Sequence, residues 1–191
     1  LPADHWFWDK SKSGGIWIEH GVHFFDAFAW VSGQPGMITA AQAFTNASGQ
    51  EDRVEALASY GQTAAHFYHG FTHSSANEQT TARLTFERGY VTLHEWVPTR
   101  MELTMLKVDD ADIVRPFLPG DIHTEADANG MISLSATLKE GKAAVYTACI
   151  QAGLSELAQA VRYPDIQLSV TGEQGLASLR IAVEAESISR Q

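Results

Sequence analysis

The chain has 191 residues, 45% hydrophobic and 19% charged, an ordinary globular balance with room for one good-sized core. Its formal net charge is -10, and its 13 basic residues are scattered, which excludes nucleic acid and anionic membranes as expected partners because phosphate binding needs clustered Lys and Arg. The single cysteine, Cys149, excludes an internal disulfide and fits a reducing, cytoplasmic setting; its seat in an apolar helical run predicts a buried structural thiol. No apolar run approaches the roughly 20 residues of a membrane helix, and no charged-then-apolar leader is seen. The opening run LPADHWFWDK is aromatic, starts on Leu1 rather than Met, and reads as the middle of a longer protein.

The next stretch, Gly14 to Gly33, GGIWIEHGVHFFDAFAWVSG, carries the chemistry. Its periodicity predicts a helix with a polar end: Glu19, His23 and Asp26 share one face at i, i+4 and i+7, beside an apolar stripe of Ile18, Val22, Phe25 and Ala29. Gly33, followed by Gln34, Pro35 and Gly36, ends it. Glu19 and His23 could form an ordinary helical contact; Gly21 between them leaves room for a backbone or ligand.

This string resembles the signature of the C-terminal domain of the Gfo/Idh/MocA oxidoreductases, roughly G-G-x-x-x-D-x-G-x-H-x-x-D followed by an apolar helix ending in W-x-x-G. Gly14, Gly15, Gly21, His23, Asp26, Trp30 and Gly33 stand at the matching positions, and Glu19, one methylene longer, stands where the family usually has Asp. The resemblance implies that His23 and Glu19 are the catalytic pair, contacting the substrate hydroxyl and supporting proton transfer. Trp17, His20 and His69 are read as substrate-binding. It further implies NAD or NADP on an N-terminal Rossmann domain. Nothing in this chain matches the dinucleotide fingerprint or the Glu-Lys-Pro segment that supplies the family's catalytic lysine, so no cofactor site is assigned to it.

Ile38 to Thr45, Arg53 to Tyr60 and Ala64 to Thr72 read as strands joined by turns at Asn46 to Gln50 and Gly61-Gln62, and loops this short imply antiparallel neighbours. Asn46-Ala47-Ser48 matches the glycosylation tripeptide but reads as a turn. In HFYHGFTH, His66 and His69 point to opposite faces of a strand, and His69 and His73 lie about 13 Å apart, too far for one ion. No metal site is therefore assigned. His69 shares a face with Phe67 and Phe71, and is either a hydrogen-bonded core histidine or, if that face meets the helix of Glu19 and His23, part of the ligand pocket.

Arg83 to Phe86 and Tyr90 to Trp96 bracket Glu87-Arg88-Gly89 as a hairpin, with His94 and Glu95 as surface alternation, and Arg100 to Lys107 as a further strand. Val108 to Gly130 carries eight acidic or proline residues and reads as a long exposed connection or interface loop. Met131 to Leu138 is a strand. Ala143 to Val161 is a helix with Val145, Cys149 and Ala152 on one face and Leu154, Leu157 and Val161 on another, closed by Pro164. A last helix starts at Thr171 with a capping box to Gln174 and an apolar side of Leu176, Leu179 and Val183. Its sequence, VTGEQGLASLRIAVEAESISR, again resembles the end of the same family.

The resemblance implies an α+β fold: a large, mostly antiparallel, open-faced sheet with helices packed on one face, like the C-terminal domain of glyceraldehyde-3-phosphate dehydrogenase. Residues 1–191 are expected to be a single substrate-binding and oligomerisation domain, a fragment of a two-domain enzyme acting on a sugar, polyol or related hydroxy compound. The expected partners are that small molecule, the Rossmann domain and further copies of the chain, joined through the open sheet face. The fragment alone is expected to be inactive. One alternative is a stand-alone ligand-binding or assembly module. Another, a zinc hydrolase using Glu19, His20 and His23, is weakened because His20 lies about 100° around a helix from Glu19.

Overall fold

The computed structural model describes residues 1–74, 76–106 and 108–190 and divides the chain into two compact units, residues 1–76 with 168–191, and residues 77–167. Both combine helices with antiparallel strands, the α+β class expected, and the strands are shared between two sheets.

In the first unit, a 3-10 turn at Trp6–Trp8 and a short helix α1 (Lys10–Ser13) lead into a π-helical turn at Trp17–Gly21 and helix α2 (Val22–Ser32). The predicted single helix is thus broken at its start. Gly14 and Gly15 take positive φ (79° and 102°), a left-handed region open to glycine at little cost, and turn the chain out of α1. Gly33 ends α2 in the same conformation, as predicted.

Strands β1 (Gly36–Thr45), β2 (Glu51–Tyr60) and β3 (Thr63–Gly70) follow, paired in the order β1-β2-β3 with Arg53 opposite Gly70 and Tyr60 opposite Thr63. Strict alternation puts Asp52, Val54, Ala56, Ala58 and Tyr60 on the buried face of β2, with Phe67 and His69 buried beside them on β3. The other face keeps Met37, Leu57 and Tyr68 exposed.

Helix α5 (Gly172–Ile188) completes this unit, and its capping box forms as predicted: Thr171 Oγ1 accepts from Gln174 N–H while Gln174 Oε1 accepts from Thr171 N–H. Its buried face is not the predicted one. Leu176, Leu179 and Val183 are exposed, and Ser178, Ile181, Ala182, Ala185 and Glu186 are buried. The reason is close packing on β1 and α2, which favours small side chains: a Cβ on Gly36 would lie 3.0 Å from Ile181 Cδ1 and 2.7 Å from the Tyr60 ring. The core is aromatic, with Trp17, Phe25, Tyr60 and Phe67 joined by Ile16, Val54 and Ile181. Full burial of each large side chain contributes about 1.5–3 kcal/mol.

The second unit holds β4 (Thr81–Phe86), β5 (Gly89–His94), β6 (Arg100–Met105), β7 (Asp121–Ala126) and β8 (Ile132–Thr137), ordered β4-β5-β6-β8-β7 with every pair antiparallel. The β4-β5 hairpin is the predicted one. A Cβ on Gly89 would lie 2.1 Å from the Thr104 carbonyl oxygen, so only glycine fits where β5 begins beside β6. The predicted end of the β6 strand at Lys107 lies outside the described residues.

The predicted exposed connection from Val108 to Gly130 is instead structured, with helix α3 (Val108–Val114), a 3-10 turn at Arg115–Phe117 and the edge strand β7. Sparse apolar residues sufficed because an element at the rim needs only one buried side: Ala111 is buried, and Val114, Leu118 and Ile122 cover Leu103, Met105, Ile132 and Leu134. Helix α4 (Lys142–Arg162) forms where predicted but has no buried residue, so neither predicted face is covered and Cys149 is exposed rather than buried.

Candidate functional site

The site elements meet where the π-turn faces the end of β3. In that turn the Val22 N–H reaches back to the Trp17 carbonyl, five residues away, which adds a residue to the turn and resets the phase between Glu19-His20 and α2. Gly21 is needed here for a reason other than ligand access. A Cβ on it would lie 2.7 Å from Trp17 Cε3, so the space expected for a ligand is filled by the chain's own indole.

Trp17 is fully buried, stacked on Phe25 with centroids 5.5 Å apart, and its Nε1 donates to Ser189 Oγ at 3.1 Å. His69 meets it edge-on at 5.5 Å. The His20 ring is partly buried, with centroids 5.1 Å from His69, 5.1 Å from Phe24 and 5.0 Å from Phe71; Phe24 lies 4.9 Å from His69. His69 is therefore boxed by the rings of Trp17, His20 and Phe24, and its Nε2 is buried without a hydrogen-bond partner among the described residues. Burial, and secondarily His20, pushes its pKa down to about 3, so the ring is neutral. Burial, then His23, lowers that of His20 as well.

His23 is exposed on the first turn of α2, and Glu19 is partly exposed on the π-turn. Asp26 is tied to α5, accepting from Ser178 Oγ at 2.7 Å. The structure thus brings Trp17, His20 and His69 into one box, with Glu19 and His23 on the same helical segment.

A second cluster gave no signal in the sequence because its members are far apart in the chain. Lys10 Nζ pairs with the Glu51 carboxylate and, at 2.8 Å, with Glu186 Oε1, which also accepts from Arg190 Nε at 2.8 Å. Glu51 Oε1 accepts the Ile16 N–H at 3.0 Å. A Cβ on Gly15 would lie 3.0 Å from Glu186 Oε2, which accounts for glycine there. Burial alone would lower the pKa of Lys10, but the Glu186 and Glu51 carboxylates outweigh it and raise it. The network ties α1, β2 and α5 to the start of the π-turn.

Among the described residues no group of three His, Cys, Asp or Glu is placed to hold a metal ion, and no helix is long and apolar enough to cross a membrane. Among the described residues every strand pair is antiparallel, whereas a dinucleotide cradle on a helix N-terminus is built from parallel β-α-β units. In the second unit, an open hollow of about 430 Å³ is lined by Trp96, Val97, Lys142, Ala143 and Tyr146. Lys142 there is paired with Glu95 at 2.8 Å.

The sequence model of the GFO/IDH/MocA C-terminal domain matches residues 1–92. No curated protein matches the chain in sequence. Among solved structures, the UDP-N-acetylglucosamine 3-dehydrogenase GnnA of Acidithiobacillus ferrooxidans superposes with a TM-score of 0.64 at 12% identity, covering 89% of this chain and 48% of that one. YvaA of Bacillus subtilis, described as an oxidoreductase, gives 0.61 at 15% identity over 94% and 51%. YPO2259 of Yersinia pestis, similarly described, gives 0.52 at 16% over 94% and 49%. The likeness is one of fold, and the chain spans about half the length of each of these proteins.

Proposed function

We propose, from the match of residues 1–92 to the GFO/IDH/MocA C-terminal domain model, that this chain is the substrate-binding and oligomerisation domain of an NAD(P)-dependent oxidoreductase acting on a sugar, polyol or related hydroxy compound. The observation that carries this reading is the convergence of His20 from the π-turn and His69 from β3 in one aromatic box, beside the segment bearing Glu19 and His23. That one neighbour in fold is a sugar-nucleotide dehydrogenase by name is consistent with it.

In this reading residues 1–191 act as a single functional domain in the cytoplasm. His23, solvent-accessible, exchanges a proton with the reacting hydroxyl, and Glu19 orients His23 or binds a neighbouring hydroxyl. Trp17, His20 and His69 shape the pocket. A nicotinamide held by another domain of the whole enzyme supplies the hydride chemistry. The exposed face of β1-β2-β3, with Met37, Leu57 and Tyr68, is the surface for self-association.

The test is His23→Ala in the complete enzyme that contains this chain. The expected result is a fall of about 10²- to 10⁴-fold in kcat, the usual worth of a positioned acid-base group, with a much smaller change in KM. An unchanged kcat would remove His23 from the reaction. The chain by itself, given NAD(P) and a polyol, should show no turnover; appreciable turnover would overturn the division of labour.

A further inference from the structure

Among the described residues of the first unit, the buried side-chain atoms Asp52 Oδ1, Glu186 Oε2 and His69 Nε2 lack a hydrogen-bond partner. The first two belong to carboxylates whose other oxygen is already bonded, Asp52 Oδ2 to Thr72 Oγ1 at 2.7 Å and Glu186 Oε1 to Lys10 and Arg190. His69 Nε2 is different. The residue is 7% exposed near the end of β3, and its neighbours Trp17 and Phe24 are carbon faces that leave the nitrogen uncompensated. A buried polar atom left so costs roughly 1–3 kcal/mol, and one that receives a partner only when a ligand arrives turns that cost into affinity and selectivity.

The charges around this nitrogen restrict what the partner can be. The sequence has no Lys or Arg between Lys12 and Arg53, nor between Arg53 and Arg83, so the π-turn, α2, β1 and β3 are free of permanent cations. The cations nearest in sequence are committed: Lys10 to Glu51 and Glu186, Lys12 to Asp9, and Arg53 to Asp52 and the Phe44 ring. The same segment carries the acids Glu19 and Asp26. A phosphate or carboxylate entering here would find no Lys or Arg on the π-turn, α2, β1 or β3 to pair with, whereas a hydroxyl can both donate and accept.

Resting on the function proposed above, we propose that His69 Nε2 is the floor of a substrate subsite selective for the uncharged hydroxyl of a neutral polyol or sugar, against phosphorylated or carboxylated sugars. The half-exposed His20 ring covers it and turns aside by a change of rotamer to admit the hydroxyl. His69 stays a neutral imidazole throughout, able to accept or donate according to its tautomer.

The test is a titration of the chain, with ring-nitrogen NMR of its histidines, using myo-inositol and glucose as neutral probes and glucose 6-phosphate and glucuronate as anionic ones at matched ionic strength. The expected result is that the neutral probes move the His69 and His20 resonances, while the anions bind roughly tenfold or more weakly, the equivalent of about 1.4 kcal/mol. His69→Phe should lose binding of the neutral probes by a similar factor, and His69→Gln, which keeps a hydrogen-bonding group, should retain part of it, both with cooperative unfolding intact. Anions binding as tightly as neutral probes would overturn the selectivity while leaving the hydroxy-compound reading in place. Neutral binding that leaves His69 unmoved, or that survives His69→Phe, would overturn the subsite alone. No binding by any probe would overturn both.

Discussion

The two compact units are built from similar elements but hold them by different means. In the first, Trp17, Phe25, Tyr60 and Phe67 interlock with a small-residue helix face, and an ion network with buried carboxylates ties α1, β2 and α5 together. In the second, a five-stranded sheet is covered on its buried side by a few aliphatic residues, and its longest helix, α4, buries no side chain. The histidines whose pKa burial lowers, His20 and His69, lie in the first. Close aromatic packing and a buried nitrogen without a partner, His69 Nε2, thus occur together in the first unit, where the surrounding rings hold the imidazole in place.

The comparison is broken most strongly at Trp17. Trp17→Ala removes a fully buried ring and the hydrogen bond to Ser189 and should lower the unfolding free energy by about 3–5 kcal/mol in denaturant titrations. A loss under 1 kcal/mol would mean that the aromatic core is not what holds the first unit. Next comes Lys10→Met, which leaves the Glu51 and Glu186 carboxylates facing one another and should cost about 3 kcal/mol. The double variant Lys10→Met, Glu51→Gln should recover part of it, and a double-mutant cycle without coupling would sink the network.

A third prediction concerns pH. His69 has a folded-state pKa of about 3 against 6.5 for the free side chain, so below pH 6.5 the unfolded chain binds the proton that the folded chain refuses. Its contribution to stability is full above 6.5 and is lost as pH falls from there towards 3, by up to about 1.4 kcal/mol per pH unit; the lowered pKa of His20 acts in the same direction. The difference in unfolding free energy between the wild type and His69→Phe should therefore change with pH across that window. A pH-independent difference would show that His69 titrates normally in the folded state. The smallest effect is expected on α4: Leu154→Ala, at a site 63% exposed, should change stability by no more than about 0.5 kcal/mol. A loss above 2 kcal/mol would show that the helix is covered in solution.

Much of the fold was legible in local pattern. The alternation of β2, the short turns between β1, β2 and β3, the β4-β5 hairpin, the capping box at Thr171 and the stop at Gly33 depend on interactions within a few residues. The placing of Phe67 and His69 on one strand face was equally readable, because period 2 leaves no choice. The face buried by α5 was not. Leu176, Leu179 and Val183 are a plausible stripe, and the choice of Ser178, Ala182 and Ala185 depended on how closely β1 and α2 approach. The fold of Val108 to Gly130 was missed for a related reason: its few apolar residues look insufficient until β6 and β8 supply the rest of the core.

By itself, then, the sequence determined strands β1 to β6 and β8, helices α2, α4 and α5, the glycine turns and the cation-free character of residues 13–52, since all of these follow from local sterics or from residue type alone. Tertiary structure alone decided that Gly21 makes way for the Trp17 ring and that Gly15 makes way for Glu186. It also decided that His69 loses water, and with it its charge, beneath His20. Those outcomes depend on close packing between segments distant in the chain, where a difference of one methyl group or one hydrogen bond settles which arrangement is stable.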